Sequence, residues 1–207
     1  STSNKISQSL STINQSFASI IDRTQYVCER SLNVSTETEA IYTQLANQEV
    51  DLFFMPILQE AKQAVQQIQQ LFEQAVSDGR LSQSALFSDH YEPIANTNPQ
   101  KYHTSFDRFT DDYLPAIQEP ILSRHNNILF AGAVDCRGYF PTHNRKYSQP
   151  LTGDYARDLI NNRTKRIFKD RTGQRCGSNT APVLLQTYKR DTGEIIHDLS
   201  VPIFVQG

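Results

Sequence analysis

The chain has 207 residues, 38% of them hydrophobic, which is enough to bury a core in one or two domains. It lacks the run of about 20 apolar residues that a membrane-spanning helix needs, and its three cysteines are too few and too dispersed for a disulfide framework or a zinc knuckle. The net charge of −2 is unevenly distributed: residues 137–175, called the basic segment below, carry a net charge of +7. Because the chain does not begin with methionine, we expect it to be part of a longer protein.

The first domain, residues 1–55, is predicted to be a long helix of coiled-coil type. It is rich in Ser, Thr, Gln and Asn, and its apolar residues recur at alternating spacings of three and four, the heptad pattern of helices that pair along one edge. The alternative is a helix that packs against its own domain. Polar residues interrupt the stripe, and they lower the stability of a helix pair. The apolar stripe consists of Ile6, Leu10, Ile13, Phe17, Ile20, Val27, Val34, Ile41, Leu45 and Leu52, interrupted by Thr24, Ser31, Thr38 and Gln48.

The second domain, residues 56–207, is predicted to begin with two helices. Pro56 removes a backbone donor and marks a kink or the start of a helix that ends near Gly79. The stretch TSFDRFTDDYLPAIQEPILSR is also helical in pattern, and we expect Pro115 and Pro120 to break it up. The inner faces are Leu58, Ala61, Val65, Ile68, Phe72 and Ala75 in the first helix, and Phe106, Phe109, Tyr113 and Leu114 in the second.

Two hairpins and short helices are predicted after Asn126. The apolar run ILFAGAVD and the following CRGYFPTH predict a first hairpin with its turn at Gly138. TGDYARDLINNRTKRIFKD predicts one or two short helices with Thr152 as the N-cap, and RTGQRCGS predicts a loop. PVLLQTYKR and EIIHDLSVPIFVQG predict a second hairpin with its turn at Asp191–Gly193. Helices grouped before antiparallel strands indicate an α+β fold.

Candidate ligand-binding residues lie at the end of the first hairpin, in the basic segment and on one face of the second hairpin. Arginine offers a forked donor set that matches a carboxylate, so a small anion or carboxylate is the expected ligand. The alternatives are a solvated loop after Pro141, a solvated helix face in the basic segment and an exposed strand face. The slightly acidic chain has no fingerprint of a nucleic-acid-binding module. The candidates are Tyr139, His143, Asn144, Arg145, Arg163, Arg166, Gln186, Tyr188 and Arg190.

No catalytic residue and no metal site are predicted. Cys176 would need a positioned base, which the sequence does not supply. His197 and Asp198 point to opposite faces of a strand, and His143 and His197 lack a third metal ligand. An enzyme that uses His143 or Cys176 is therefore the least favoured function. Haem and flavin are left open as cofactors, although the chain has no CxxCH motif for covalent haem.

The series RGYFPTHNRKYSQP, NRTKRIFKDRTG and LLQTYKRDTGEIIHDLSVPIFVQG resembles the sensor region of some bacterial methyl-accepting chemotaxis proteins, over about residues 104–207. The Ser- and Gln-rich heptads before it are similar to part of a chemoreceptor's cytoplasmic coiled coil. The order of elements is similar to PAS-like or Cache-like sensing folds, which combine a long N-terminal helix with a five-stranded antiparallel sheet. Four strands are clear in this chain, so we expect a fifth either from GQRCGSN or beyond residue 207.

The resemblance implies a homodimeric sensor in the cytoplasmic region of a membrane-associated receptor. A small-molecule ligand or a change of redox state would alter the second domain. The shift would then pass through the long helix to the chemotaxis signalling proteins. The alternative function is a structural dimerisation module that binds no ligand.

Overall fold

The computed structural model describes residues 2–47, 54–189 and 194–206, and the chain divides into two compact units, Ser1–Glu49 and Val50–Gly207. The first unit is a single helix, α1 (Thr2–Asn47), so the predicted long helix is confirmed. None of the described helices combines the length and the apolar character needed to cross a bilayer.

The apolar stripe of α1 is exposed along the helix. Seven of its side chains have between 48% and 63% of their surface exposed. The hydroxyls of Thr24 and Thr38 donate to the carbonyl oxygens four residues earlier, each at 2.8 Å, so these polar members are satisfied within their own helix. Gln48 and Leu52 lie outside the described residues. The seven exposed members are Leu10, Ile13, Phe17, Ile20, Val27, Val34 and Ile41.

The second unit begins with a helical layer. The helix α2 (Met55–Ser77) has Pro56 in its first turn, as predicted, and it packs against α4 (Asp107–Arg124). A short helix, α3 (Gln83–Leu86), lies between them and is capped by the Ser82 hydroxyl. The buried core cluster around these helices is Ile68, Phe72, Ala75, Leu81, Phe106, Phe109, Leu114 and Tyr139.

The prediction that Pro115 and Pro120 break up the second helix of this domain is wrong, because α4 runs through both prolines. Pro115 is half-buried and Pro120 is exposed, so the backbone donors that they lack are not on the most buried side of the helix. That side is anchored by Leu114, which is fully buried, and by Ile121. Tyr113, which was expected on the inner face, is 39% exposed.

Three separate two-stranded antiparallel sheets form in the described part of the chain, so the unit is a mixture of helices and small sheets. The second hairpin is confirmed, although its predicted turn, Asp191–Gly193, lies outside the described residues. The PAS-like or Cache-like arrangement stays a prediction. The paired strands are β1 (Glu92–Ile94) with β2 (Lys101–His103), β3 (Tyr139–Phe140) with β4 (Arg166–Ile167), and β5 (Leu184–Lys189) with β6 (Ile195–Ser200).

The prediction of a first hairpin is wrong, because residues 128–135 form no strand and β3 pairs with β4 instead. The turn itself is present: Gly138 has φ of +80°, and the Asp135 carboxylate accepts from the backbone N–H groups of Arg137 and Tyr139 at 2.9 and 2.8 Å. Upstream of the turn, the Ala131 N–H donates to a side chain, that of Asn144, rather than to a strand.

Two predictions for the basic segment, its helix N-cap and its second short helix, are also wrong. The helix α5 (Tyr155–Asn161) is capped by Asp154, not Thr152, since the Asp154 carboxylate accepts from Arg157 N–H at 3.1 Å. The stretch after α5 is extended rather than helical and forms β4.

RTGQRCGS was expected to be a loop, and GQRCGSN was considered as a fifth strand, but the structure has a helix there, α6 (Arg171–Ser178). The Asp170 side chain accepts from Gly173 N–H at 3.0 Å and caps this helix. Its glycines pack tightly: a Cβ at Gly173 would lie 2.5 Å from the Phe168 carbonyl oxygen, and one at Gly177 would lie 2.7 Å from the Asp135 carbonyl oxygen. Tertiary packing therefore holds this glycine-containing segment as a helix.

Candidate functional site

A ribbon of two antiparallel segments, residues 139–148 and 162–168, forms the framework of the candidate site. We call it the central ribbon. Beyond the β3–β4 pairing, Lys165 N–H donates to the Phe140 carbonyl at 2.8 Å, and Arg163 N–H donates to the Tyr147 carbonyl at 2.6 Å. Six of the nine candidate residues lie on this ribbon: Tyr139, His143, Asn144, Arg145, Arg163 and Arg166.

The structure brings Arg163 and Arg166 together. Both guanidinium groups lie over the ring of Phe168, with their central carbons 5.0 and 5.1 Å from its centroid. Both also donate from Nη1 to the Leu159 carbonyl oxygen, at 3.4 and 3.2 Å. Two positive charges are therefore held beside one aromatic ring and one carbonyl group.

A buried lysine lies close to Arg166. Lys101, on β2, is 6% exposed, and its ammonium group donates to the Asn162 side chain and to the Thr164 carbonyl oxygen, the latter at 2.6 Å. Burial first, and then the charges of Arg166 and Lys165, lower the pKa of Lys101 to about 8. The sequence analysis missed this residue, because β2 lies far from the ribbon in the chain and nothing local distinguishes a buried lysine from a solvated one.

His143 and Asn144 are buried in the central ribbon and make internal contacts. The His143 imidazole stacks on Phe140, with ring centroids 4.2 Å apart, and its Nδ1 accepts from Asn144 N–H at 2.9 Å. The Asn144 side chain accepts from Ala131 N–H at 2.8 Å. Arg145 is exposed, and its backbone N–H donates to the Glu119 carboxylate at 2.8 Å. This part of the ribbon fixes the backbone beside the two stacked arginines.

Tyr139 belongs to a different environment. It is fully buried in the core, and its hydroxyl lies 2.9 and 3.0 Å from the two carboxylate oxygens of Asp107 and 3.0 Å from the Tyr102 carbonyl oxygen. Burial, and then the Asp107 charge, raise the pKa of Tyr139 far above its ordinary value, so the hydroxyl stays protonated. These contacts tie β3 to α4.

The remaining candidates lie on the second hairpin. Gln186 is 1% exposed and donates from Nε2 to the Thr172 carbonyl oxygen at 3.1 Å and to Asp198 Oδ2 at 3.4 Å. Tyr188 is half-buried, and Arg190 lies outside the described residues. The structure therefore brings six of the candidates together on the central ribbon and holds Gln186 in contacts with α6 and β6.

A cluster that the sequence analysis did not single out surrounds Gln186. Burial raises the pKa of Asp198 to about 6, and burial followed by the Asp198 charge raises the pKa of Cys176 to about 12. A thiol with so high a pKa stays protonated at neutral pH, which argues against a nucleophilic role for Cys176. Strand alternation placed Asp198 and Ser200 on one face of β6, and in the structure Cys176 of α6 lies against that face.

Among residues 2–47, 54–189 and 194–206, no three His, Cys, Asp or Glu side chains are grouped in a way that could hold a metal ion. Comparison with protein-family models, with curated proteins and with solved structures finds no match for this chain.

Proposed function

We propose that the chain is a signal-sensing module of the methyl-accepting chemotaxis receptor type, in which the second unit binds a small anion and α1 pairs with α1 of a second copy. A PAS-like or Cache-like arrangement and a place in the cytoplasmic region of a membrane-associated receptor are parts of this proposal. The three motifs between residues 137 and 207 support the receptor assignment.

The observation that carries the anion-binding proposal is the convergence of Arg163 and Arg166 on Phe168, with Lys101 buried nearby. Like charges held close together repel one another: after burial, the charges of Arg166 and Lys165 lower the pKa of Lys101, and the Asp158 charge partly offsets them. An anion bound here would be attracted by both guanidinium charges and would accept hydrogen bonds from groups that are already oriented. A carboxylate, whose two oxygens match the guanidinium fork, fits this arrangement.

The apolar stripe supports the pairing of two copies through α1. Its exposed side chains lie in one heptad-spaced row, and a second α1 would remove them from water. The two hydroxyls of Thr24 and Thr38 already have acceptors within α1, so burying them leaves no unsatisfied donor. Pairing of this kind is the physical basis on which a change in the second unit could alter a partner chain.

Thermal unfolding with a panel of sodium carboxylates, phosphate and sulfate, at constant ionic strength, tests the anion-binding proposal. An anion that binds the native chain at 100 times its dissociation constant stabilises it by about 2.7 kcal/mol. Arg166→Gln should abolish the shift. Lys169→Gln is the matched control, because it removes one exposed positive charge from the same segment. If no anion stabilises the wild-type chain, this part of the proposal is wrong.

The second candidate function is a dimerisation module without a ligand. It is favoured by the buried polar side chains of Asn144 and Tyr139, whose hydrogen bonds are made to other groups of the protein. In that case Leu10→Lys, within the apolar stripe, separates the copies in sedimentation equilibrium, and no anion raises the unfolding temperature. Leu32→Lys is the matched control, since Leu32 is 47% exposed and lies outside the stripe.

A further inference from the structure

One face of the second hairpin carries three oxygen-bearing side chains beneath α6. Gln186 is directly opposite Asp198 in the β5–β6 register, and Ser200 follows two residues after Asp198, so the three share a face. Diagonal neighbours on an antiparallel pair are about 7–8 Å apart at Cα, a separation that one small bound group can bridge. We call these residues, together with Cys176 of α6, the covered polar face.

The hydrogen bonding of the covered polar face is incomplete. Among the residues that the structure describes, Gln186 Oε1 is buried and has no hydrogen-bond partner, and the buried Ser200 Oγ has at most a weak contact with the Cys176 thiol. Gln186 cannot simply be turned over, because its Nε2 is needed by the Thr172 carbonyl oxygen at 3.1 Å. A buried polar atom left without a strong partner is destabilising, so both positions favour an additional group.

The charge of the covered polar face comes from Asp198. The pKa of Asp198 is raised to about 6 by burial, lowered by the Gln186 amide and raised again by Asp170, and none of these influences comes from a positive charge. At neutral pH this half-buried carboxylate is therefore mainly ionised. A positively charged group at the same place would compensate it.

The three oxygens determine the chemistry of the group that this face can bind. An anion would meet a carboxylate and an amide oxygen, and is therefore disfavoured. A water molecule has two donors and no charge, so it leaves the carboxylate uncompensated. A primary ammonium group is compact, carries one positive charge and has three donors and no acceptor, which matches three acceptor oxygens.

We propose that the covered polar face binds a protonated primary amine, with the Asp198 carboxylate, Gln186 Oε1 and Ser200 Oγ as its acceptors. This site differs in position and in ligand charge from the anion site on the central ribbon. The two proposals rest on different contacts, and either can fail without the other.

Thermal unfolding of the full chain with methylammonium chloride tests the inference. The control salts are sodium, potassium and tetramethylammonium chloride at equal ionic strength and pH 7.5. Methylammonium should raise the unfolding temperature above all three, because tetramethylammonium has the charge but no N–H donors. Asp198→Asn should weaken methylammonium binding at least tenfold, and Ser200→Ala severalfold. Asp112→Asn, the same change at an exposed carboxylate on α4, should leave binding unchanged.

Three results would overturn the inference. Stabilisation no larger than that by tetramethylammonium means that the covered polar face holds water only. Equal or greater stabilisation by potassium means an alkali-cation site. Methylammonium binding that persists in both Asp198→Asn and Ser200→Ala places the amine elsewhere. If Asp198→Asn does not fold, as judged by circular dichroism, Ser200→Ala decides, since it keeps the carboxylate and removes one acceptor.

Discussion

Tyr139 shows how a polar side chain in a candidate binding motif can serve the core instead. Its ring lies edge-on to those of Tyr91 and Phe106, with centroids 5.4 and 6.1 Å away, while its hydroxyl reaches the buried Asp107 carboxylate. The backbone N–H of Thr104 also donates to that carboxylate, at 3.1 Å. The hydroxyl of Tyr139 is therefore part of the support for a buried negative charge.

We expect Tyr139→Phe to lower the free energy of unfolding by about 1.5–3 kcal/mol, the contribution of a hydrogen bond to a charged group. The measurement is urea unfolding followed by the tyrosine near-ultraviolet signal. Tyr155→Phe is the matched control, because Tyr155 is 52% exposed and its loss should change stability by less than about 0.5 kcal/mol. Equal effects of the two substitutions would contradict this role of Tyr139.

Asp198 makes stability depend on pH in a direction opposite to that of most carboxylates. Its pKa is raised to about 6 in the folded chain from an ordinary 3.8, so folding favours the protonated form. This contribution is fully present below the unfolded pKa and is lost as the pH rises through the folded pKa. The free energy of unfolding of the wild type minus that of Asp198→Asn should therefore fall between about pH 4 and pH 7. A difference that stays flat or rises in urea titrations across this range would contradict the burial of Asp198.

The helix α6 is held from two sides. Its glycines lie against the 135–138 turn and Phe168, while Thr172 and Cys176 lie over the second hairpin. A Cβ at Gly177 would also come within 2.8 Å of Gly138 N, and backbone atoms cannot move aside cheaply. The position of α6 therefore links the tight turn after ILFAGAVD to the covered polar face.

We expect Gly177→Ala to destabilise the second unit by about 1–3 kcal/mol through overpacking, more than the roughly 1 kcal/mol that alanine gains in helix propensity. Displacement of α6 should also speed the modification of Cys176 by a thiol reagent, measured with Cys28→Ser and Cys136→Ser in the background. Ser178→Ala, on the exposed side of α6, is the control. Unchanged stability and thiol reactivity in Gly177→Ala would contradict the close packing.

The elements that could be predicted from the sequence are those specified locally. The second hairpin follows from strand alternation, and α2 follows from Pro56 and a helical apolar face. The pairing of β3 with β4 could not be read in this way, because the partner strand lies beyond α5. The sequence also did not indicate that RTGQRCGS is helical. Its two glycines disfavour a helix, and only tertiary packing, which requires a glycine at both positions, explains why they are there.

The candidate site shows the same limit. Arg163 and Arg166 were identifiable because they lie together in the basic segment, but their stacking on Phe168 depends on the folded ribbon. Lys101 was missed because its acceptors, the Asn162 side chain and the Thr164 carbonyl, lie about 60 residues further along the chain. Burial of a charged side chain depends on the tertiary structure, and burial is what distinguishes Lys101 from a solvated lysine.

At the scale of the whole molecule, the proposed function requires that two events influence each other: ligand binding to the second unit and pairing through α1. Thermodynamic linkage makes such an influence reciprocal. If an anion bound near Arg166 changes the affinity of two copies for each other, then pairing must change the affinity for the anion by the same factor. A module that only dimerises shows neither effect.

We therefore expect a saturating anion to change the dimer dissociation constant by about fivefold or more, a coupling of about 1 kcal/mol. Sedimentation equilibrium with and without the anion measures this change. Titration calorimetry on the wild type and on Leu10→Lys measures the reciprocal one, because that substitution removes pairing while leaving the second unit untouched. Leu32→Lys should bind the anion as the wild type does. Anion binding that leaves the dimer constant unchanged would mean that the two units act independently and would favour structural pairing over signalling.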